Sequence, residues 1–321
     1  MEPKTKNKKI LSRFTQLAES NLIVIMVALI VVLWLLNDKF LSFNNITNLL
    51  RQTAIIGVLA VGMTFVILSA GIDLSVGSVL AFSSIFASKL MVAGIPIWLS
   101  ITIALVAGAL IGAVMGFIIH KGKVPAFIAT LGGMVIVRGA VMLICKAQKV
   151  MGLPEAIGDF AVDRYLGIPA MVYVWFITIL IGWFVSKYTV FGRNIYAIGS
   201  NEEAARLSGI KIGINICGIY AFSGLMSSVA GILMTARLGN GVPTAGQGYE
   251  LDAIAAVVVG GGSLNGAVGS IPGTVLGTVI IASIRNGGTL LGINPFVLDI
   301  SVGSLIVIAV LIDQLRKNKA T

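Results

Sequence analysis

Thirteen acidic residues, one histidine and two cysteines are the whole stock of groups this chain has for proton, metal or thiol chemistry. Catalysis needs a nucleophile beside a base, a pair of carboxylates or a set of metal ligands. None is spelled out here. His120 stands in His120-Lys121-Gly122-Lys123, where it reads as a solvated or interfacial histidine, and no Cys/His cluster has metal-ligand spacing. Gly116 to Lys123, GFIIHKGK, comes near a phosphate-binding loop but is one residue too long. The next residue, Val124, has no hydroxyl for magnesium. The chain therefore reads as no enzyme, with no metal and no cofactor of its own.

The remaining chemistry is charge in apolar surroundings. Arg138 lies near the middle of an apolar run, where an unpaired charge costs from about 3 to more than 10 kcal/mol. It is expected to pair with an acid, either as part of a polar pathway or as a structural ion pair that fixes helix register. Asp73, Asp252 and Asp299 fall at or near the ends of such runs, and Lys89 falls late in one, within reach of the interface. Asp73 and Asp252 have glycine-rich surroundings, and backbone freed by glycine breaks must line a cavity or pack within protein. Asp73, Ser75, Arg138, Glu250 and Asp252 are the pathway or gate candidates.

One polar interlude, 186–211, separates two long apolar stretches. Its centre, Ser200 to Gly209, predicts a short helix. Ser200 is expected to cap it, Glu203 three residues on to complete a capping box, and Gly209 to end it in the left-handed conformation. A self-contained helix in a basic loop suggests a docking point for something soluble.

These elements must be positioned by a membrane domain. Hydrophobic residues make up 57% of the 321 residues and charged residues 11%, with a mean hydropathy of +1.00. That is more apolar sequence than a soluble core needs. Apolar segments fall near 20–37, 52–70, 76–93, 97–119, 125–145, 168–185, 212–235, 251–268, 270–285 and 296–313. Those at 76–93 and 251–268 are rich in Gly and Ser and are expected to be broken or re-entrant. The fold expected is an all-α polytopic membrane protein of about ten spans. Its parts are a basic tail at 1–19, one permease-like domain at 20–313 and a second tail at 314–321. The basic start followed by an apolar run has no small-residue cleavage site after Leu36, so the segment is expected to remain as a span.

Ten spans put both tails and the loops 120–124 and 186–211 on one side. That side holds 14 Lys/Arg against seven in the opposite loops and boundaries, which makes it cytoplasmic. The net charge of +10 follows from this asymmetry and not from nucleic-acid binding, since no basic helix is interleaved with aromatics. Cys145 and Cys217 then lie near opposite faces and are not expected to pair.

Small residues recur every four positions at Gly108, Gly112 and Gly116, and at Gly269, Gly273 and Gly277. This spacing lets helices approach closely. Packing within the chain is favoured over a subunit contact. The stretches 67–78 and 259–270 also look alike, each with Leu between glycines and a Gly-Ser ending, a trace of an internal repeat. Both fall on the cytoplasmic side by charge parity, so they are not inverted mates.

The segment Glu203-Ala204-Ala205-x-x-x-Gly209 resembles the E-A-A-x-x-x-G coupling segment of bacterial ATP-binding-cassette importer permeases. Phe191 to Ile210, Ala60 to Ser78 and Tyr249 to Gly261 are similar to the ribose-type sugar permeases in particular. The resemblance runs over roughly 40–313. It implies a permease subunit in the bacterial cytoplasmic (inner) membrane that translocates a ribose-class monosaccharide. A second copy or a paralogous permease would complete the pore. A sugar ATPase with two fused nucleotide-binding domains would use ATP and Mg below it, and an extracytoplasmic sugar-binding protein would deliver sugar from above. Ser200, Glu203, Ala204, Ala205, Arg206 and Gly209 would carry the contact with the ATPase. Regions 71–78 and 249–266 would lie near the pathway or its gates. Membrane lipid would surround the chain, and nucleic acid would have no part. The residues alone also admit a stand-alone secondary transporter or facilitator, and disfavour a polytopic membrane enzyme.

Overall fold

The computed structural model describes residues 21–318, and helices occupy each predicted apolar segment. The tail 1–19 lies outside the described residues. The helices are α1 (Asn21–Leu36), α2 (Phe43–Leu68), α3 (Val76–Val92), α4 (Ile97–Gly122), α5 (Ala126–Cys145), α6 (Glu155–Val162), α7 (Ala170–Tyr188), α8 (Val190–Ser200), α9 (Glu202–Leu207), α10 (Ile212–Leu238), α11 (Tyr249–Val259), α12 (Ile271–Leu290) and α13 (Pro295–Asn318). Helix α13 thus continues into the segment read as a tail. Five of them, α2, α4, α5, α7 and α10, are long and apolar enough to cross a membrane. A two-residue hairpin, Arg164–Tyr165 on Ile168–Pro169, joins α6 to α7. The loop at 146–167 therefore carries a short helix and a hairpin of its own.

Helix α2 is the central post, with every residue from Thr53 to Leu68 buried. It runs antiparallel to α10. Arg237 donates to Asn48 at one end, Gly62 meets Ser223 and Met226 midway, and Phe65 packs on Phe222 beyond. Around this pair one packing scheme occurs twice. Helix α3 touches α4 and α5 as α11 touches α12 and α13, while α2 packs on α11 and α12 as α10 packs on α3 and α4. The link 69–75 therefore corresponds to the link 239–248, and the antiparallel posts place the two at opposite ends. The look-alike stretches 67–78 and 259–270 are not equivalents in this scheme. They meet each other, with Ala267 N–H donating to Leu68 O at 2.9 Å.

The glycine stripes pack inside the chain. A Cβ on Gly108 would strike Ser228 Oγ, one on Gly112 the carbonyl of Tyr220, and one on Gly116 the backbone of Cys217. Gly273 and Gly277 press in the same way on Gly260 and Ala256, and Gly269 lies on Gly262. Hydroxyls supplement the close packing of α3 on α10, where Ser83 donates to Ser228 and Thr235 to Ser84, each at 2.7 Å. Gly112→Leu is expected to cost about 3 kcal/mol or more, because backbone and not a flexible side chain blocks the new atoms. Gly132→Leu, whose Cβ meets nothing within 4 Å, is the control. The monodisperse fraction in detergent should collapse for the first and stay near wild type for the second.

Candidate functional site

Helix α8 begins at Thr189, whose Oγ1 accepts from Gly192 N–H at 3.0 Å, and buries Ile195 and Ile198. It runs to Ser200, which is therefore not the cap of the next helix. Asn201 takes that place. Its N–H donates to Ala197 O at 3.1 Å, closing α8, and its Oδ1 accepts from Ala204 N–H at 2.9 Å, opening α9. The capping box does not form either. Glu203 turns to Arg206, accepting from Nε at 3.0 Å and from Nη2 at 2.5 Å. The hydrogen bonds from Arg206 hold the Glu203 carboxyl below its usual range. The stop is as expected: Gly209 has φ +83°, its N–H donates to Arg206 O, and Ile210 N–H reaches back to Ala205 O. Ala205 is buried, while Glu202, Glu203, Ala204, Arg206 and Leu207 face outward. One short helix is thus seated by a single alanine and offers the rest of its surface.

Its seat is mechanical. Tyr196 Oη donates to Gly269 O at 3.0 Å. Gly199 lies so close that a Cβ would strike Leu68 O and Ala267 N, and Gly266 in turn abuts the Gly199 carbonyl and Ala70. Asn194 donates to Asn215 of α10 at 3.2 Å. The end of α8 therefore rests on both the α2–α3 and α11–α12 links, and only Asn201 separates it from α9.

The pathway candidates divide into two groups. Asp73 is buried and accepts from Ser75 N–H at 2.9 Å, Ser75 Oγ at 2.6 Å and Ser223 Oγ at 2.8 Å. It sits beside the N-terminus of α3, the positive end of the helix dipole. Asp252 is wholly buried and accepts from Arg285 Nη2 at 2.6 Å, while Arg285 Nη1 reaches Asp299 at 3.0 Å. Asp73, Ser75 and Asp252 thus tie elements together inside the fold. Arg285, one of the seven basic residues counted above in the opposite loops and boundaries, proves to have two acidic partners.

Arg138 forms no ion pair among the described residues, contrary to the expectation of an acidic partner. Its guanidinium donates instead to three carbonyls: Pro243 at 2.8 Å, Ala245 at 2.9 Å and Gly77 at 3.2 Å. These belong to the α10–α11 link and the first turn of α3, so one side chain on α5 clamps both. Glycine makes the approach possible, since a Cβ on Gly77 would strike Glu250 and the Gly246 carbonyl. The starts of the short helices α3 and α11 thus converge, the arrangement by which broken helices build solute sites in transporters. Arg138 and Glu250 line a cavity of about 500 Å³ together with Met134, Val135, Gly139, Met142 and Gln247. A second cavity, of about 330 Å³, shares Gln247 with the first and is lined by Tyr249, Arg285 and Asp299 among others.

The near-miss phosphate loop is part of α4, which runs unbroken through Gly122, so those amides are spent in helix. His120 lies with its ring against Gly213. Both cysteines are free.

A helical membrane protein with broken helices converging on a polar centre, and a capped helix held out at one end, has the layout of a transport permease. The family model for the branched-chain amino acid transport system/permease component matches residues 45–312. The chain belongs to that family and is a transport component. It is 43% identical to the ribose import permease protein RbsC of Haemophilus influenzae over 99% of both chains. To RbsC of Bacillus subtilis it is 45% identical over 91% of both. To the xylose transport system permease protein XylH of Escherichia coli it is 36% identical over 96% of this chain and 95% of the relative. No solved structure matches the chain.

Proposed function

We propose that this chain is the membrane subunit of an ATP-driven importer that moves a ribose-class monosaccharide across the bacterial cytoplasmic membrane. The observation that carries the reading is the 43% identity, over essentially the whole of both chains, to a protein named as a ribose import permease. Ten crossings with both termini in the cytoplasm accord with the charge bias and with a helix at each of the ten apolar segments. Two copies would enclose the pathway along the face that bears Arg138, Gln247 and Glu250. A half-buried Arg and Glu and an exposed Gln facing lipid would each be costly, so that face belongs toward water or a partner. A separate ATPase with two fused nucleotide-binding domains would consume ATP and Mg and press on α9. A sugar-binding protein would dock at the opposite end.

Uptake of labelled ribose, xylose and galactose by cells with and without the gene tests the reading. Ribose uptake should depend on the gene and stop when cellular ATP is depleted. Gene-dependent uptake that persists without ATP would mean a facilitator and would contradict the proposal.

A further inference from the structure

Gln247 differs from the charged groups around the two cavities. Arg138, Glu250, Arg285 and Asp299 all have intramolecular hydrogen bonds, whereas the exposed Gln247 amide has none among the described residues. Its backbone, in contrast, is fixed from both sides. It stands between Gly246 at φ +73° and Gly248 at φ +82°. Arg138 holds the carbonyls of Pro243 and Ala245 before it, and Gly248 N–H donates to Glu250 after it at 3.2 Å. Gln247 lines both cavities and so stands where they adjoin.

Exposed and without an intramolecular partner among the described residues, the amide is open to water or a solute. The amide offers two donors and one acceptor oxygen. On one side of it Glu250 accepts and Arg138 donates, and on the other Asp299 accepts and Arg285 donates. Each hydroxyl of a neutral polyol both donates and accepts, and so matches this mixture. A phosphate or carboxylate solute would meet the carboxylates of Glu250 and Asp299. An apolar solute would leave the Gln247 amide unpaired. We propose that Gln247 is a specificity-determining residue that contacts a neutral polyhydroxylated solute as it passes from one cavity to the other. The inference rests on the transport reading above.

The test uses the complete complex in liposomes, with its ATPase and with binding protein saturated by D-ribose or by 2-deoxy-D-ribose. Saturation removes the binding protein's own preference. Wild type should move ribose faster than the deoxy sugar. In Gln247→Leu the ratio of the two rates should fall about fivefold or more toward one, and Gln247→Asn should keep part of the preference. An unchanged ratio in Gln247→Leu overturns the proposal. Loss of permease pairing in that variant also overturns it, by making Gln247 a subunit contact. Failure of the wild-type complex to move either sugar would instead sink the transport reading, and the inference with it.

Discussion

Arg138→Met is expected to destabilise the permease by about 3–5 kcal/mol and to abolish most transport. Three carbonyls, of Gly77, Pro243 and Ala245, lose charged donors at once. Hydrogen bonds to charged groups contribute about 1.5–3 kcal/mol each, and three on one side chain do not add fully. Methionine fills the space of the side chain but cannot donate. The loss falls where α3, α5 and the α10–α11 link converge, so the pathway should loosen before the rest of the bundle does. Thermal unfolding in detergent and sugar uptake are the readouts. Arg138→Lys should recover only part of each, since an ammonium cannot span three carbonyls as the planar fork does. Wild-type melting and uptake in Arg138→Met would show the clamp to be dispensable.

The other large effect concerns α9. Glu203→Lys and Gly209→Asp should each cut sugar-stimulated ATP hydrolysis tenfold or more, in rough order of magnitude, while the permease still folds and inserts. Both sites are exposed, so global stability has little stake in them. Glu203→Lys replaces an ion pair by two like charges three residues apart and puts a cation at the positive end of the helix. Gly209→Asp forces a side chain into a left-handed conformation, at about 1–2 kcal/mol, and adds an anion at the negative end. Tyr196→Phe should behave differently. It removes one hydrogen bond, of about 1 kcal/mol, between α8 and Gly269, without altering α9. ATP hydrolysis should then persist while more ATP is spent per sugar moved. Full coupling in both α9 variants would remove this helix from the mechanism.

Much of this arrangement could be read in the sequence, and the misses share a cause. Local signals worked. Apolar runs located the helices, glycine spacing located the close packing of α4 on α10 and of α12 on α11, and Gly209 located the end of α9. The cap was placed one residue early because Ser200 satisfies the local pattern. Asn201 wins because α8, masked by its polar surroundings, runs on to Ser200 and leaves Asn201 to close one helix and open the next. Partners distant in sequence were the harder problem. Arg138 was expected to find an acid, yet its partners are backbone carbonyls exposed by two helix breaks, and backbone carries no sequence signal. Arg285 looked like a loop charge because its two aspartates lie 33 residues before it and 14 after it. The likeness of 67–78 to 259–270 marked a contact and not a repeat, a difference that only packing reveals.

The claim that α9 receives the ATPase is tested most directly by position. A photo-crosslinking residue placed at Leu207, 77% exposed beside the seated Ala205, should trap the ATPase subunit in the intact complex. The same residue at Leu166, 98% exposed in the α6–α7 hairpin, should trap none of it. Crosslinks to the ATPase from Leu166, or none from Leu207 in an assembled complex, would contradict the account.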